Sequence, residues 1–146
     1  MLRGHATARV DSKGRLKIPA EFLDSFLSLC EEQHRVYITS RDAKMVLVYP
    51  LPVWRRQEKR LSTLTTTDPD LELYRLAVSY WGRESSVDRQ GRILIHPRLR
   101  EATSLDGVVS VFGKQHTLEL CDHRLLRDSP PVLTPEKLAA LTRFGI

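Results

Sequence analysis

Between Thr7 and Ile18 apolar and polar residues alternate, with Ala8 and Val10 before a polar break and Leu16 and Ile18 after it. Period-two alternation on both sides of Asp11-Ser12-Lys13-Gly14 predicts two short strands joined as a hairpin. Gly14 falls where a type I turn is followed by a left-handed residue, a conformation that glycine takes without steric cost. Asp11 opens the turn, where its carboxylate can accept backbone N–H groups. The pattern returns 77 residues later, since Val87-Asp88-Arg89-Gln90-Gly91-Arg92-Ile93-Leu94-Ile95 matches Val10 to Ile18 with Val, Asp, Gly, Arg and the last Ile identical. Asp88 and Gly91 take the places of Asp11 and Gly14.

A second hairpin is expected at about 36–49 and again at about 108–121. Val36-Tyr37-Ile38-Thr39 aligns with Val108-Val109-Ser110-Val111, and Met45-Val46-Leu47-Val48 with Thr117-Leu118-Glu119-Leu120. This second offset is 72, so the later copy lacks five residues before its third strand. Such self-similarity is the mark of a duplicated unit, and the chain reads as a fused pseudo-dimer with four short strands and some helix per half. Pro19 precedes a short helix at Glu21–Phe26, and Pro97–Glu101 repeats the arrangement. Three further helices are predicted. Val53–Leu64 would bury Trp54, Leu61 and Leu64. Asp68-Pro69 caps a helix to about Trp81, stopped by Gly82. Thr134-Pro135 opens a last helix with Leu138, Leu141 and Phe144 as an apolar stripe before Gly145. The expected division is a first unit at 1–52, a helical connector at 53–82, a second unit at 83–125 and a helical tail at 126–146, all within one domain.

Composition narrows the function classes. The 146 residues carry 23 Lys+Arg and 18 Asp+Glu, a net charge of +5. Residues 1–20 hold five bases and one acid, and residues 81–100 hold five bases and two acids, while the other 106 residues carry 13 bases and 15 acids. The excess therefore sits on the two related turns, which points to a polyanionic partner. The longest apolar runs, such as Met45–Tyr49, are far too short to span a membrane, no signal peptide is readable, and two cysteines fit a reducing compartment; a cytoplasmic protein is expected. Enzyme readings are poor. The histidines (5, 34, 96, 116 and 123) lack metal-ligand spacing, and Cys121-Asp122-His123 are merely adjacent in sequence, although a hydrolase using Cys121 and His123 is a possible reading. Cys30 and Cys121 read as small core residues. Trp54, Tyr74, Tyr80 and Trp81 read as core or subunit-interface aromatics. No catalytic residue, metal, cofactor or small-molecule substrate is expected.

Asp11-x-x-Gly14-Arg15 and Asp88-x-x-Gly91-Arg92, each followed by alternating aliphatics and a nearby proline, resemble the MraZ family. The resemblance covers residues 1–125. Met1-Leu2-Arg3-Gly4 is similar to that family's start, with Leu2 where an aromatic is more usual, and His96 stands where a proline is common. The resemblance implies an α+β, mainly β fold, with two pseudo-two-fold-related AbrB-like swapped-hairpin units forming a small barrel-like core with peripheral helices. It also implies a nucleoid-associated regulator, a repressor that binds tandem promoter direct repeats in double-stranded DNA upstream of the bacterial division and cell-wall gene cluster. Assembly would be a homo-oligomeric ring of several protomers. The motif arginines, here Arg15 and Arg92, are implied to contact DNA.

Chemistry supports that choice. A two-stranded ribbon fits the major groove, where arginine pairs bidentately with guanine, and Lys13, Arg89 and Lys17 suit phosphate. The competing reading of Arg15 and Arg92 is an ion pair with Asp11 and Asp88 that merely closes each hairpin. Asp11, Gly14, Asp88 and Gly91 are expected to be structural. An AbrB-type antitoxin, binding DNA and a protein partner through its tail, is the alternative function.

Overall fold

The alternation at the N-terminus extends to a nine-residue strand, β1 (Leu2–Val10), which turns at Asp11–Gly14 into β2 (Arg15–Lys17). The computed structural model describes residues 1–146. After β2 come α1 (Ala20–Cys30), β3 (Arg35–Ser40), β4 (Val46–Pro50) and α2 (Leu51–Ser62). The next helix, α3 (Pro69–Tyr80), leads to β5 (Arg83–Ser86), β6 (Arg92–Leu94) and α4 (Pro97–Ala102). The chain then makes β7 (Gly107–Gln115), β8 (Thr117–Asp122), α5 (His123–Arg127) and α6 (Pro135–Ala140), with one 3-10 turn at Leu141–Phe144. No helix is long and apolar enough to cross a membrane.

The eight strands form one antiparallel sheet in the order β5-β3-β4-β8-β7-β1-β2-β6, curled into a nearly closed barrel. Exchanging β1 with β5, β2 with β6, β3 with β7 and β4 with β8 maps this order onto itself once the barrel is closed. The duplication read from the motifs is therefore a pseudo-two-fold axis. It runs through the pairs Leu16↔Ile93 and Leu47↔Glu119, in which equivalent residues of the two halves face each other. Halves are exchanged as well as related. β1 runs against β7 over nine residue pairs, and β5 runs against β3.

That exchange corrects the simple hairpin expected at Thr7–Ile18. The turn forms, but β1 and β2 share only the pair Val10↔Leu16, and β2 crosses to pair with β6. Period two identifies strands and faces without saying which strand is the neighbour. The alignment of the second hairpin also needs a shift. Val36 and Ile38 point into the core, and so do Val109 and Val111, so Val36 matches Val109 rather than Val108. A one-residue slip turns every side chain to the other face. Ser110 accordingly lies outward, bonded to His123 (Oγ to Nδ1, 2.8 Å). The residues missing from the second half fall at the helix, since α1 has 11 residues and α4 has six.

One core of 19 buried residues takes Leu16, Val36, Ile38, Val46 and Val48 from the first half and Ile93, Val109, Val111, Leu118 and Leu120 from the second. Helix α1 closes one side with Phe22 and Phe26 and continues four residues past the expected Phe26. Helices α2 and α3 cover the outer face of β3 through Leu51, Trp54 and Val78. There Trp54 stacks on Tyr37 at 4.6 Å, and the hydroxyls of Tyr37 and Thr39 both donate to the Val78 carbonyl at 2.8 Å. Asp68 caps α3 as expected, accepting from the Asp70 N–H. Leu64, expected to be buried, is exposed because α2 stops at Ser62. The stripe on the last helix is also unburied, with Leu138 and Phe144 facing solvent. Helix α5 was not anticipated. Its signal is Asp122, whose carboxylate accepts from the Arg124 N–H as an N-cap. His96 replaces the proline that its counterpart, Pro19, supplies in the first half. Its Nδ1 accepts from the Leu99 N–H, so Nε2–H donates to the Trp81 carbonyl at 2.8 Å.

Candidate nucleic-acid interface

The paired strands β2 and β6 place their middle residues, Leu16 and Ile93, in the core. Alternation then turns Arg15 and Lys17 of β2, and Arg92 and Leu94 of β6, outward. In register Lys17 stands opposite Arg92, and Arg15 opposite Leu94. Like charges facing each other across a ladder disfavour the pair, so this ribbon is a place where an anion would relieve repulsion. The two turns lie at its ends. Lys13 and Arg89 are exposed there but not at equivalent positions, because Lys13 matches Gln90 and Arg89 matches Ser12. The ribbon and its two turns, residues 11–17 and 88–94, thus carry five cations and two carboxylates, Asp11 and Asp88.

Both carboxylates are fully engaged. Asp11 Oδ1 accepts from the backbone N–H of Lys13 and Arg15, and Oδ2 from Arg15 Nε, each at 2.9 Å. Asp88 repeats this with the N–H groups of Gln90 and Arg92 and with Arg92 Nε, also at 2.9 Å. Gly14 (φ +82°) and Gly91 (φ +75°) take the left-handed conformation read from the sequence. Each turn is then locked to the opposite half, since Ile95 N–H donates to the Gly14 carbonyl and Ile18 N–H to that of Gly91, both at 2.9 Å. The ion pair weighed against a DNA role therefore exists. It uses only Nε of each arginine, however, and neither Nη of Arg15 or Arg92 is buried without a partner. The aspartate fixes the side chain and leaves the outer edge of the guanidinium open. Lys13 stands on the turn before β2, and Arg89 on the turn before β6, where it lines one cavity with Lys17 and Arg92.

The Arg15 and Arg92 backbone N–H groups hold Asp11 and Asp88 below the usual aspartate range; desolvation opposes this, and the guanidiniums and second N–H groups add to it. A depressed carboxylate stabilises the fold above its unfolded value of about 3.9, and that contribution is lost as pH falls through the folded value. The amide shifts of Lys13, Arg15, Gln90 and Arg92 are expected to stay constant from neutral pH to about 4.5, then to move together below about 3.9. A transition centred above pH ~5 would contradict the assignment.

The halves differ behind the turns. Leu23 packs under Gly91, whereas its counterpart Arg100 packs under Gly14 and carries the one buried side-chain nitrogen without a partner, Nη1. Sequence reading missed Arg100; the repeat alignment, which sets it opposite Leu23, was the available signal.

The chain is 36% identical over 150 residues to the Transcriptional regulator MraZ of Acidobacterium capsulatum, a match that spans the whole of both chains. It belongs to the MraZ family of transcriptional regulators. Proteins of the same name from Koribacter versatilis (36% over 113 residues, 77% of this chain and 76% of the relative) and Chromobacterium violaceum (38% over 120 residues, 82% and 80%) agree. No family model matches the chain.

MraZ proteins carry the name of regulators, not of enzymes, and the residues considered for hydrolysis are otherwise occupied. Burial pushes the Cys30 thiol up to about 12, and burial together with the Asp122 charge raises that of Cys121. Asp122 binds Arg124 Nε at 3.0 Å and Nη2 at 2.9 Å, while His123 bonds Ser110. These three neighbours in sequence form no catalytic constellation.

Proposed function

We propose that this MraZ-family chain is a repressor that places the β2·β6 ribbon in the major groove of promoter DNA. Arg15 and Arg92 read guanine edges with their open Nη groups, and Lys13, Lys17 and Arg89 neutralise phosphate. The observation that carries this reading is the duplicated, aspartate-clamped arginine on one outward ribbon. Because the ribbon is pseudo-two-fold, both arginines of one chain address one short site. The units at 1–52 and 83–125 act as a single reading head, joined by the connector at 53–82, with 126–146 as an appended tail. Tandem direct repeats, such as those implied for the division and cell-wall cluster, would then be met by several copies in a homo-oligomeric ring. Linking weak heads raises the effective concentration at neighbouring repeats by about 10²-fold or more.

Gel shift and footprinting on the DNA upstream of the protein's own gene, across a salt series, test the proposal. Protection of repeated short elements is expected. Lys13→Ala should lower the slope of log affinity against log salt by about one and weaken all sequences alike. Equal affinity for the repeats and for a scrambled duplex would overturn the proposal.

A further inference from the structure

The pseudo-two-fold axis sets up a comparison between the outer faces of the two halves. In the first half, Tyr37 on β3 and Trp54 on α2 are roofed by α3, which rests on them with Val78 and Tyr74. Their counterparts in the second half are Ser110 on β7 and Leu126 on α5; α5 covers Ser110 through His123, but no third helix packs over that face in the place α3 takes in the first half. What remains is an apolar groove of about 280 Å³ lined by His5, Phe112, His123, Leu126, Pro130 and Pro131. Helix α3 meanwhile presents a second apolar stripe on its far side. Leu73, Leu76 and Tyr80, spaced at i, i+3 and i+7, are 65%, 68% and 58% exposed. The two surfaces also differ in charge. Asp68 and Asp70 stand at the start of α3 without an ion pair, whereas Arg3 and Arg9 share the outer face of β1 with His5, two and four residues from it, and are also unpaired; Arg127 in the groove lining is already paired with Asp128.

We infer that the groove over β7 and α5 receives the Leu73–Leu76–Tyr80 face of α3 from a second copy of this chain. One helix then roofs two sites, its own first half with Val78 and Tyr74, and the neighbour's second half with its outer stripe. This occupant is favoured over others because it restores in the second half the cover that the first half already has, with apolar faces matched and charges of opposite sign at the edges. The contact joins different patches, so it is heterologous and propagates head to tail until it closes. The inference rests on the ring proposed above and names the surfaces that build it.

Light scattering on the full-length chain and two classes of variant tests it, with circular dichroism and melting confirming that each is folded. Leu76→Asp spoils the stripe and leaves the groove intact. Leu126→Asp spoils the groove and leaves the stripe intact; His5→Glu, on an exposed strand position, replaces it if α5 loosens. Each alone is expected to fall from the parent's oligomeric mass to that of one chain. Mixed together they should give a species of two chains and nothing larger, because only one good stripe and one good groove remain. A parent that is itself a monomer overturns both the ring and this contact. An oligomeric parent with variants of unchanged mass, or variants that stay monomeric when mixed, overturns this contact alone. So does a loss of assembly that follows only deletion of residues 132–146, which would make the exposed C-terminal segment the occupant.

Discussion

Arg15→Ala and Arg92→Ala are each expected to weaken binding to the repeat-bearing promoter by about 1–3 kcal/mol per contacted site, the worth of one bidentate arginine–guanine pair. This corresponds to roughly 5- to 150-fold for a single head, and the loss should be compounded where several heads bind together. Folding should be nearly untouched. The Arg15–Asp11 and Arg92–Asp88 pairs are solvent-screened surface ion pairs of the i,i+4 kind, which contribute little to stability. Their larger role is preorganisation. An unrestrained arginine gives up as much as about 2 kcal/mol of rotamer freedom when it is fixed against a base, and Nε–H on the aspartate incurs part of that in the free protein. Arg15→Lys separates the two possible roles of the charge. A lysine keeps the cation but not the fork, so it should retain affinity for random duplex and lose preference for the repeats. Gel shift with matched and scrambled duplexes reads both quantities. Wild-type affinity in Arg15→Ala would remove this residue from the interface, and equal losses on both duplexes would move it from base to phosphate.

Much of this was legible from residues alone because the signals are local. Asp-x-x-Gly-Arg states a turn, its left-handed glycine and its carboxylate acceptor within five positions, and the structure repeats that geometry to 0.1 Å in both copies. Asp68-Pro69 and Thr134-Pro135 likewise placed helix starts correctly. What the chain concealed is non-local. That β1 spends nine residue pairs on β7 and only one on β2 depends on which partner buries Leu2, Ala6 and Ala8, and alternation is the same for either. The frame of β7 is hidden for a related reason. Val108 and Val109 are both valines, so composition offered two registers one residue apart, and only the inward pairing with β8 separates them. The fate of Leu64 and Leu138 was hidden too, because an apolar stripe on a helix predicts a buried face without supplying the surface that buries it. Arg100 was invisible as a site residue for the opposite reason. Taken alone it is one more arginine in a basic window, and its meaning appears only beside Leu23.

Gly14→Ala is expected to be the most damaging single substitution in the reading head, and it should cost more than Gly91→Ala. Both glycines have positive φ, and forcing alanine into that region costs about 1–3 kcal/mol at either position. The surroundings then separate them. A methyl group on Gly91 would meet Leu23 side-chain atoms at 3.1 Å and 3.3 Å, which a small shift relieves. At Gly14 it would fall on Arg100 Nη1 and lie 3.0 Å from the Ile95 carbonyl oxygen. The guanidinium, the unpartnered end of a flexible side chain, can swing aside, but the Ile95 carbonyl is backbone, so the junction of the two halves at Ile95 N–H to Gly14 O would be strained. Overpacking of this kind adds about 1–3 kcal/mol, so the total is a large share of the roughly 5–15 kcal/mol that holds a small domain. Urea titration of both variants measures the difference. Arg100→Ala combined with Gly14→Ala should recover little, because the flexible guanidinium yields by itself and the contact with the Ile95 carbonyl remains. Arg100→Ala alone should cost little, because it also removes the buried N–H that has no acceptor, a group whose burial is itself unfavourable by about 1–3 kcal/mol. Equal costs at the two glycines, or full recovery in the double variant, would mean that the Ile95 carbonyl does not set the stiffness of the first turn. If the asymmetry is found, the first hairpin is the more tightly held of the two, and the affinity lost in Arg15→Ala should exceed that lost in Arg92→Ala.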